Sequence, residues 1–182
     1  MGSLPFYFLG LVVLLLFSAF FSGSEAVLFS LSRTQTRALR QHSPGGRITA
    51  RLLEQPRALL VTILICNLTV NVFASSFATA LSLRAFGEAG LVIAFAVMSV
   101  VVMVVTEVVP KVLGLHWAER VAPAISYPLA FFHALLLPVR IPLAALSDAV
   151  TGPIRRRLGA TRPSYTWEEL LTAVRLSRRE GS

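Results

Sequence analysis

Long apolar stretches alternate with polar, arginine-rich ones along this chain. Residues 4–31 carry Glu25 as their single charge, residues 58–83 carry none, and residues 91–113 are interrupted only by Glu107, Pro110 and Lys111. At about 1.5 Å per residue each stretch can cross roughly 30 Å of hydrocarbon as a helix. The pattern predicts an all-α membrane protein with three transmembrane helices per subunit. Between the first two stretches lie Arg33, Arg37, Arg40, Arg47, Arg51 and Arg57, with a turn signal at Ser43-Pro44-Gly45-Gly46. Two short surface helices around that turn are predicted.

Residues 114–158 are apolar but contain Pro123, Pro128, Pro138, Pro142 and Pro153. Prolines remove backbone donors, so this region is predicted to break into short pieces. A fourth span over residues 124–150 would bury His133, Arg140 and Asp148 together with freed backbone groups. A juxtamembrane helical belt is the preferred reading. Residues 1–160 are assigned to the transmembrane domain and its juxtamembrane helices. Residues 161–182 are assigned to the start of a cytosolic linker helix that ends abruptly. In it Thr166 reads as the N-cap, Glu168 and Glu169 as first-turn acids, and Arg175, Arg178 and Arg179 as residues near the helix end.

Arginine is concentrated on one side. The connector has six, whereas the link between the second and third stretches has Arg84 beside Glu88. The end of the third stretch and the region after it add Lys111, Arg120, Arg140 and Arg155 to Arg157. The asymmetry predicts an N-terminus outside and a cytoplasmic C-terminus in a multi-pass inner (plasma) membrane protein, which fits an odd number of spans.

The formal net charge is +8, and 14% of residues are charged against 55% hydrophobic, too few charges to cover a soluble domain of this size. The arginines flank apolar runs, which points to anionic lipid headgroups as partner. Nucleic acid is excluded, because no basic stretch is interleaved with stacking aromatics. Cys66 is the single cysteine. It permits no internal disulfide and no thiolate metal site, and reads as a small core residue. A cleaved signal is disfavoured, because no Lys or Arg precedes the first stretch and that stretch is too long. Phe6 breaks the myristoylation pattern.

Polar residues inside the apolar stretches carry the candidate chemistry. Ser18, Ser22 and Glu25 fall at i, i+4 and i+7, with Gly23 and Ser24 between them. Asn67, Asn71 and Ser75 form a stripe at intervals of four. Pro110 deprives the Thr106 carbonyl of its helical donor, and Glu107 and Lys111 are four apart. Read singly, each group has a structural explanation: small-residue packing, interhelical amide bonds, an intrahelical ion pair. Together they place two carboxylates and several neutral oxygens on three stretches, at a burial cost that convergence alone offsets. No imidazole or thiolate accompanies them. The donor set suits a hard cation, Mg²⁺, Ca²⁺ or Na⁺, rather than Zn²⁺ or Cu⁺, and a broken helix is how transporters build such sites. Glu25 ranks above Glu107 as a direct ligand, because it lies in the segment containing Gly23 and because Glu107 has Lys111 available as a partner.

The segments Phe21-Ser22-Gly23-Ser24-Glu25-Ala26, Asn67-Leu68-Thr69-Val70-Asn71 and Thr106-Glu107-Val108-Val109-Pro110-Lys111 resemble, in order, three motifs of the cyclin-M/CorC magnesium transporters. The tail, residues 166–181, resembles the acidic segment that leads into their cytosolic CBS-domain pair, which is missing here. The resemblance implies a homodimer, Mg²⁺ export coupled to Na⁺ entry, and metal ligands from Ser22, Gly23 (by its carbonyl), Ser24, Glu25, Asn67, Asn71 and Glu107. An alternative is a Mg²⁺-sensing membrane scaffold that regulates another transporter. An intramembrane hydrolase using Ser24 and Glu25 is excluded, because His42, His116 and His133 lie outside the polar groups and leave no general base. No enzyme activity is expected.

Overall fold

The computed structural model describes residues 4–139 and 142. Residues 4–139 belong to one compact unit, residues 1–140, and residue 142 belongs to a second, residues 141–182. The assigned linker helix, its boundary at residue 160, and residues 140, 141 and 143–158 of the proline-rich region lie outside the described residues. Every element among the described residues is helical. Helix α1 runs Leu4–Ser30, α2 Arg33–His42, α3 Pro44–Leu53 and α4 Pro56–Phe86. Gly87–Ala89 is a 3₁₀ turn, followed by α5 Gly90–Val100, a π-helical segment Val101–Val108, α6 Val109–His116 and α7 Ala118–Leu135.

Two stretches are long and apolar enough to cross a membrane, Pro5–Ser30 and Pro56–His116. The second is 61 residues long, and it folds back on itself. Gly87 has φ +62°, where a side chain would strain the backbone. Beyond it α5 returns along α4, with Ala74 and Ala78 packed on Met98 and Val102. Leu11, Leu14 and Leu15 of α1 complete that cluster. Large apolar side chains point away from it. Phe95 is 78% exposed and Val92 73%, a surface that suits lipid rather than water.

The connector folds as two helices, but its Ser-Pro-Gly-Gly signal is not a loop. Ser43 closes α2, with its N–H donating to the Leu39 carbonyl, and the same residue opens α3. Its Oγ accepts from Gly46 N at 2.9 Å, and Pro44 takes the first turn of α3, where no donor is needed. At the other end of α2, Ser32 and Gln35 form a reciprocal capping box.

A second correction concerns the prolines. Pro123 and Pro128 do not break the chain: α7 continues through both for 18 residues. Tertiary packing overrides the local penalty. Gly45 of α3 lies so close to Pro123 that an added Cβ would stand 2.5 Å from the Pro123 carbonyl oxygen. Beside it, buried Thr49 and Ser126 share a hydroxyl hydrogen bond of 2.8 Å, and Thr49 Oγ1 also reaches the Gly45 and Ala122 carbonyls. So α3 is covered by α2 on one side and α7 on another rather than lying free. Further along, Phe132 packs edge-on to Phe21 and Phe17 of α1, and Thr62 of α4 meets His133 at 3.0 Å. The Thr49→Val variant keeps the shape but leaves Ser126 with its own-helix acceptor alone. It should lower stability by about 1–2 kcal/mol, measured by chemical unfolding in detergent.

Candidate cation site

The polar residues of α1 form a face because 100° per residue brings Ser18, Ser22 and Glu25 within about 60° of one another. Ser18 is buried and donates into α4. Its Oγ lies 2.6 Å from Asn71 Oδ1 and 3.1 Å from Asn67 Oδ1, so both amides of the α4 stripe converge on one hydroxyl. Ser22, also buried, reaches the backbone carbonyl of Glu107 at 3.4 Å. Helix α1 thus meets α4 and the π-helical segment through oxygen atoms. Ser18 is the residue that ties α1 to α4, although the resemblance gave it no role.

Glu107 is the penultimate residue of the π-helical segment. Pro110 cannot donate to Thr106, and just upstream the backbone pairs five residues apart instead of four, as in Val109 N to the Val104 carbonyl. The extra residue per turn widens the helix where Thr106 is buried. Glu107, Asn71, Ser75, Thr79 and Ser99 line a cavity of about 470 Å³ between α4 and the returning helix. Among the described residues Glu107 has no ion-pair partner.

Lys111 pairs elsewhere. Its Nζ lies 3.0 Å from Glu25 Oε2, across the α1–α6 contact, with both side chains more than one-third exposed. The intrahelical pair suggested by the four-residue spacing of Glu107 and Lys111 is not made. One of the two reasons for ranking Glu25 above Glu107, the Lys111 partner, is thereby removed. The α1–α6 contact is close because small residues line it. A Cβ on Gly23 would stand 3.3 Å from Pro110 Cβ, and one on Gly114 would stand 3.0 Å from the Gly23 carbonyl oxygen. Gly114 was not singled out from sequence, though a lone glycine in an apolar helical pattern signals such an approach.

Ser24 is not brought into this group by its side chain. It stands roughly 160° round the helix from Ser22, on the face of Phe21 and Leu28, both buried in the main apolar core. It is buried there, and its Oγ has no hydrogen-bond partner among the described residues. The described residues contain no cluster of three or more His, Cys, Asp or Glu. Chemically, the arrangement offers amide, hydroxyl, carbonyl and carboxylate oxygens, a set suited to hard cations.

A family model described as the cyclin M transmembrane N-terminal domain matches residues 9–182. The UPF0053 inner membrane protein YfjD of Escherichia coli is 36% identical over 167 residues, which cover 88% of this chain and 38% of that protein. A UPF0053 protein of Haemophilus influenzae is also 36% identical, over 87% of this chain and 38% of its own length. A DUF21 domain-containing chloroplastic protein of Arabidopsis thaliana is 32% identical over 94% of this chain and 26% of its own. The chain therefore spans between about a quarter and two fifths of the length of these curated relatives. The match runs through all three polar groups and the helices that hold them, so this membrane protein belongs to the cyclin M transmembrane N-terminal domain family.

Proposed function

We propose that the chain is the membrane domain of a Mg²⁺ transporter, exporting Mg²⁺ against Na⁺ entry from a site between α1, α4 and the π-helical segment. Convergence of Ser18, Ser22, Asn67, Asn71 and Glu107 inside otherwise apolar helices carries the reading. Such groups are costly in a bilayer unless they hold something. Mg²⁺ takes octahedral oxygen at about 2.0–2.1 Å and sheds water reluctantly. Neutral amide and carbonyl oxygens with one free carboxylate replace part of its hydration without trapping it. Ligands in the proposal come from the Ser22, Gly23, Ser24 and Glu25 segment, Asn67, Asn71 and Glu107, with Ser24 limited to its backbone. The folded-back second stretch supports three spans in each subunit of a homodimer, which in the whole protein precedes a CBS-domain pair.

The test is calorimetric titration of purified protein with Mg²⁺, Ca²⁺ and Na⁺, followed by Mg²⁺ flux in liposomes holding this protein alone. Saturable Mg²⁺ binding, weakened at least tenfold in Asn67→Ala, is expected. Binding without flux would make the domain a sensor instead of a transporter. Unchanged binding in Asn67→Ala and Glu25→Ala would make the constellation packing. Orientation has its own check. Gln41→Cys in a Cys66→Ala background should resist an impermeant thiol reagent added to intact cells, and labelling from outside would reverse the topology.

A further inference from the structure

The basic connector contains a second built feature, apart from the cation site. A cavity of about 320 Å³ opens where the end of α1 meets α2 and α3, within the roughly 300–1,000 Å³ typical of ligand pockets. Two kinds of wall line it. One is apolar: Leu28, Phe29, Leu31 and Leu53. Phe29 is 42% exposed, an aromatic ring left open at the end of an apolar helix. The other is basic: Arg33, Arg37 and Arg40, at i, i+4 and i+7 on one stripe of α2. Glu54 is the acid among the lining residues, and it pairs with Arg40 at 3.3 Å. Glu119 is engaged by Gln35, which does not line the cavity. Among the described residues Arg33 and Arg37 have no ion-pair partner, so the cavity keeps an uncompensated positive charge of two.

Two planar guanidinium groups without carboxylates suit a phosphodiester, which they can hold by paired N–H donors. A free phosphate has no use for the apolar wall, and a hydrocarbon has none for the arginines. An amphiphile needs both. We propose that this cavity is a binding site for one anionic phospholipid, its phosphodiester on Arg33 and Arg37 and its glycerol and upper chains against Phe29 and Leu31. The proposal rests on α1 spanning the bilayer, not on ion transport. A discrete site differs from diffuse attraction between a basic connector and a charged surface, which would draw on all the arginines alike.

Native mass spectrometry of the detergent-purified protein, titrated with phosphatidylglycerol or phosphatidylcholine, tests it. One phosphatidylglycerol should bind at least tenfold more tightly than phosphatidylcholine. The Arg33→Gln/Arg37→Gln double variant should lose that preference, whereas Arg47→Gln/Arg51→Gln, which removes the same charge outside the cavity, should retain it. Equal losses in both would overturn the site, as would no preference in the parent. Displacement of the lipid by millimolar inorganic phosphate would reassign the arginines to a soluble anion and overturn the lipid proposal. Because loss of binding can also follow misfolding, Glu54→Gln supplies a gain: freeing Arg40 should tighten phosphatidylglycerol about threefold, and no gain overturns the proposal. Mg²⁺ titration of the Arg33→Gln/Arg37→Gln protein should match the parent. If the parent binds no Mg²⁺, the transport reading falls while the lipid result stands on its own.

Discussion

Replacing Glu107 by glutamine is expected to weaken Mg²⁺ binding about 100-fold and to abolish Mg²⁺ flux in liposomes. Outer partners of a metal site typically cost 10–100-fold when removed, so a direct carboxylate ligand belongs at or beyond the upper end; a factor of 100 corresponds to about 2.7 kcal/mol. The two carboxylates differ in availability. Glu25 already has the Lys111 ammonium at 3.0 Å, whereas Glu107 faces the cavity it shares with Asn71 and has no such partner among the described residues. A cation arriving at Glu25 must first displace a positive charge. The Glu25→Gln variant should therefore lose less, about tenfold, and Lys111→Met should bind Mg²⁺ more tightly than the parent because it uncovers Glu25. Calorimetry on the three variants separates the cases. A larger loss in Glu25→Gln than in Glu107→Gln would return Glu25 to first rank. Weaker binding in Lys111→Met would mean that the lysine holds the site open instead of competing for it.

The second large effect is structural. Gly45→Val should cost about 3 kcal/mol and lower the midpoint of thermal unfolding in detergent by roughly 6–12 °C, read from tryptophan fluorescence. The first added carbon would already stand 2.5 Å from the Pro123 carbonyl oxygen and 2.9 Å from Pro123 Cβ, and backbone cannot swing aside as a side chain can. Neighbouring Gly46 is equally constrained, against the carbonyl of Leu39 in α2. A drop no larger than that of an exposed control such as Arg47→Val would mean that α3 and α7 separate freely.

These two expectations mark what could and could not be seen in the chain itself. Apolar length located α1, α4 and the α5–α6 leg to within a few residues, because a backbone in lipid must satisfy its own hydrogen bonds and leaves little choice of element. Pro110 marked where the helix leaves ordinary α geometry without breaking, and the four-residue stripes of Ser18, Ser22, Asn67 and Asn71 marked polar faces on α1 and α4. Lys111 was misjudged because spacing along one helix says nothing of distance across two; that depends on how closely Gly23 and Gly114 let α1 and α6 approach. Helix α7 was hidden for a related reason. Proline's penalty is local and readable, but contacts with α3 and α1 outweigh it, and those come from residues some 70–110 positions away. The π-helical register escaped because one extra residue in a turn leaves no mark in an apolar run of valines.

The three-residue connection at Gly87 has a consequence for how the protein is made. On the proposed topology, α4 and the helix that follows cannot be threaded into the bilayer one after the other. Gly87–Ala89 is too short to wait in water as a separate loop while α5 is still being synthesised. The two legs must enter as a preformed hairpin, carrying Arg84 and Glu88 across together. On insertion scales a central charge costs about 2.5–3.5 kcal/mol, so the uncharged runs 58–83 and 91–106 together supply the driving force that carries the turn across. Lengthening the turn would then alter the order of assembly before it altered anything in the finished protein.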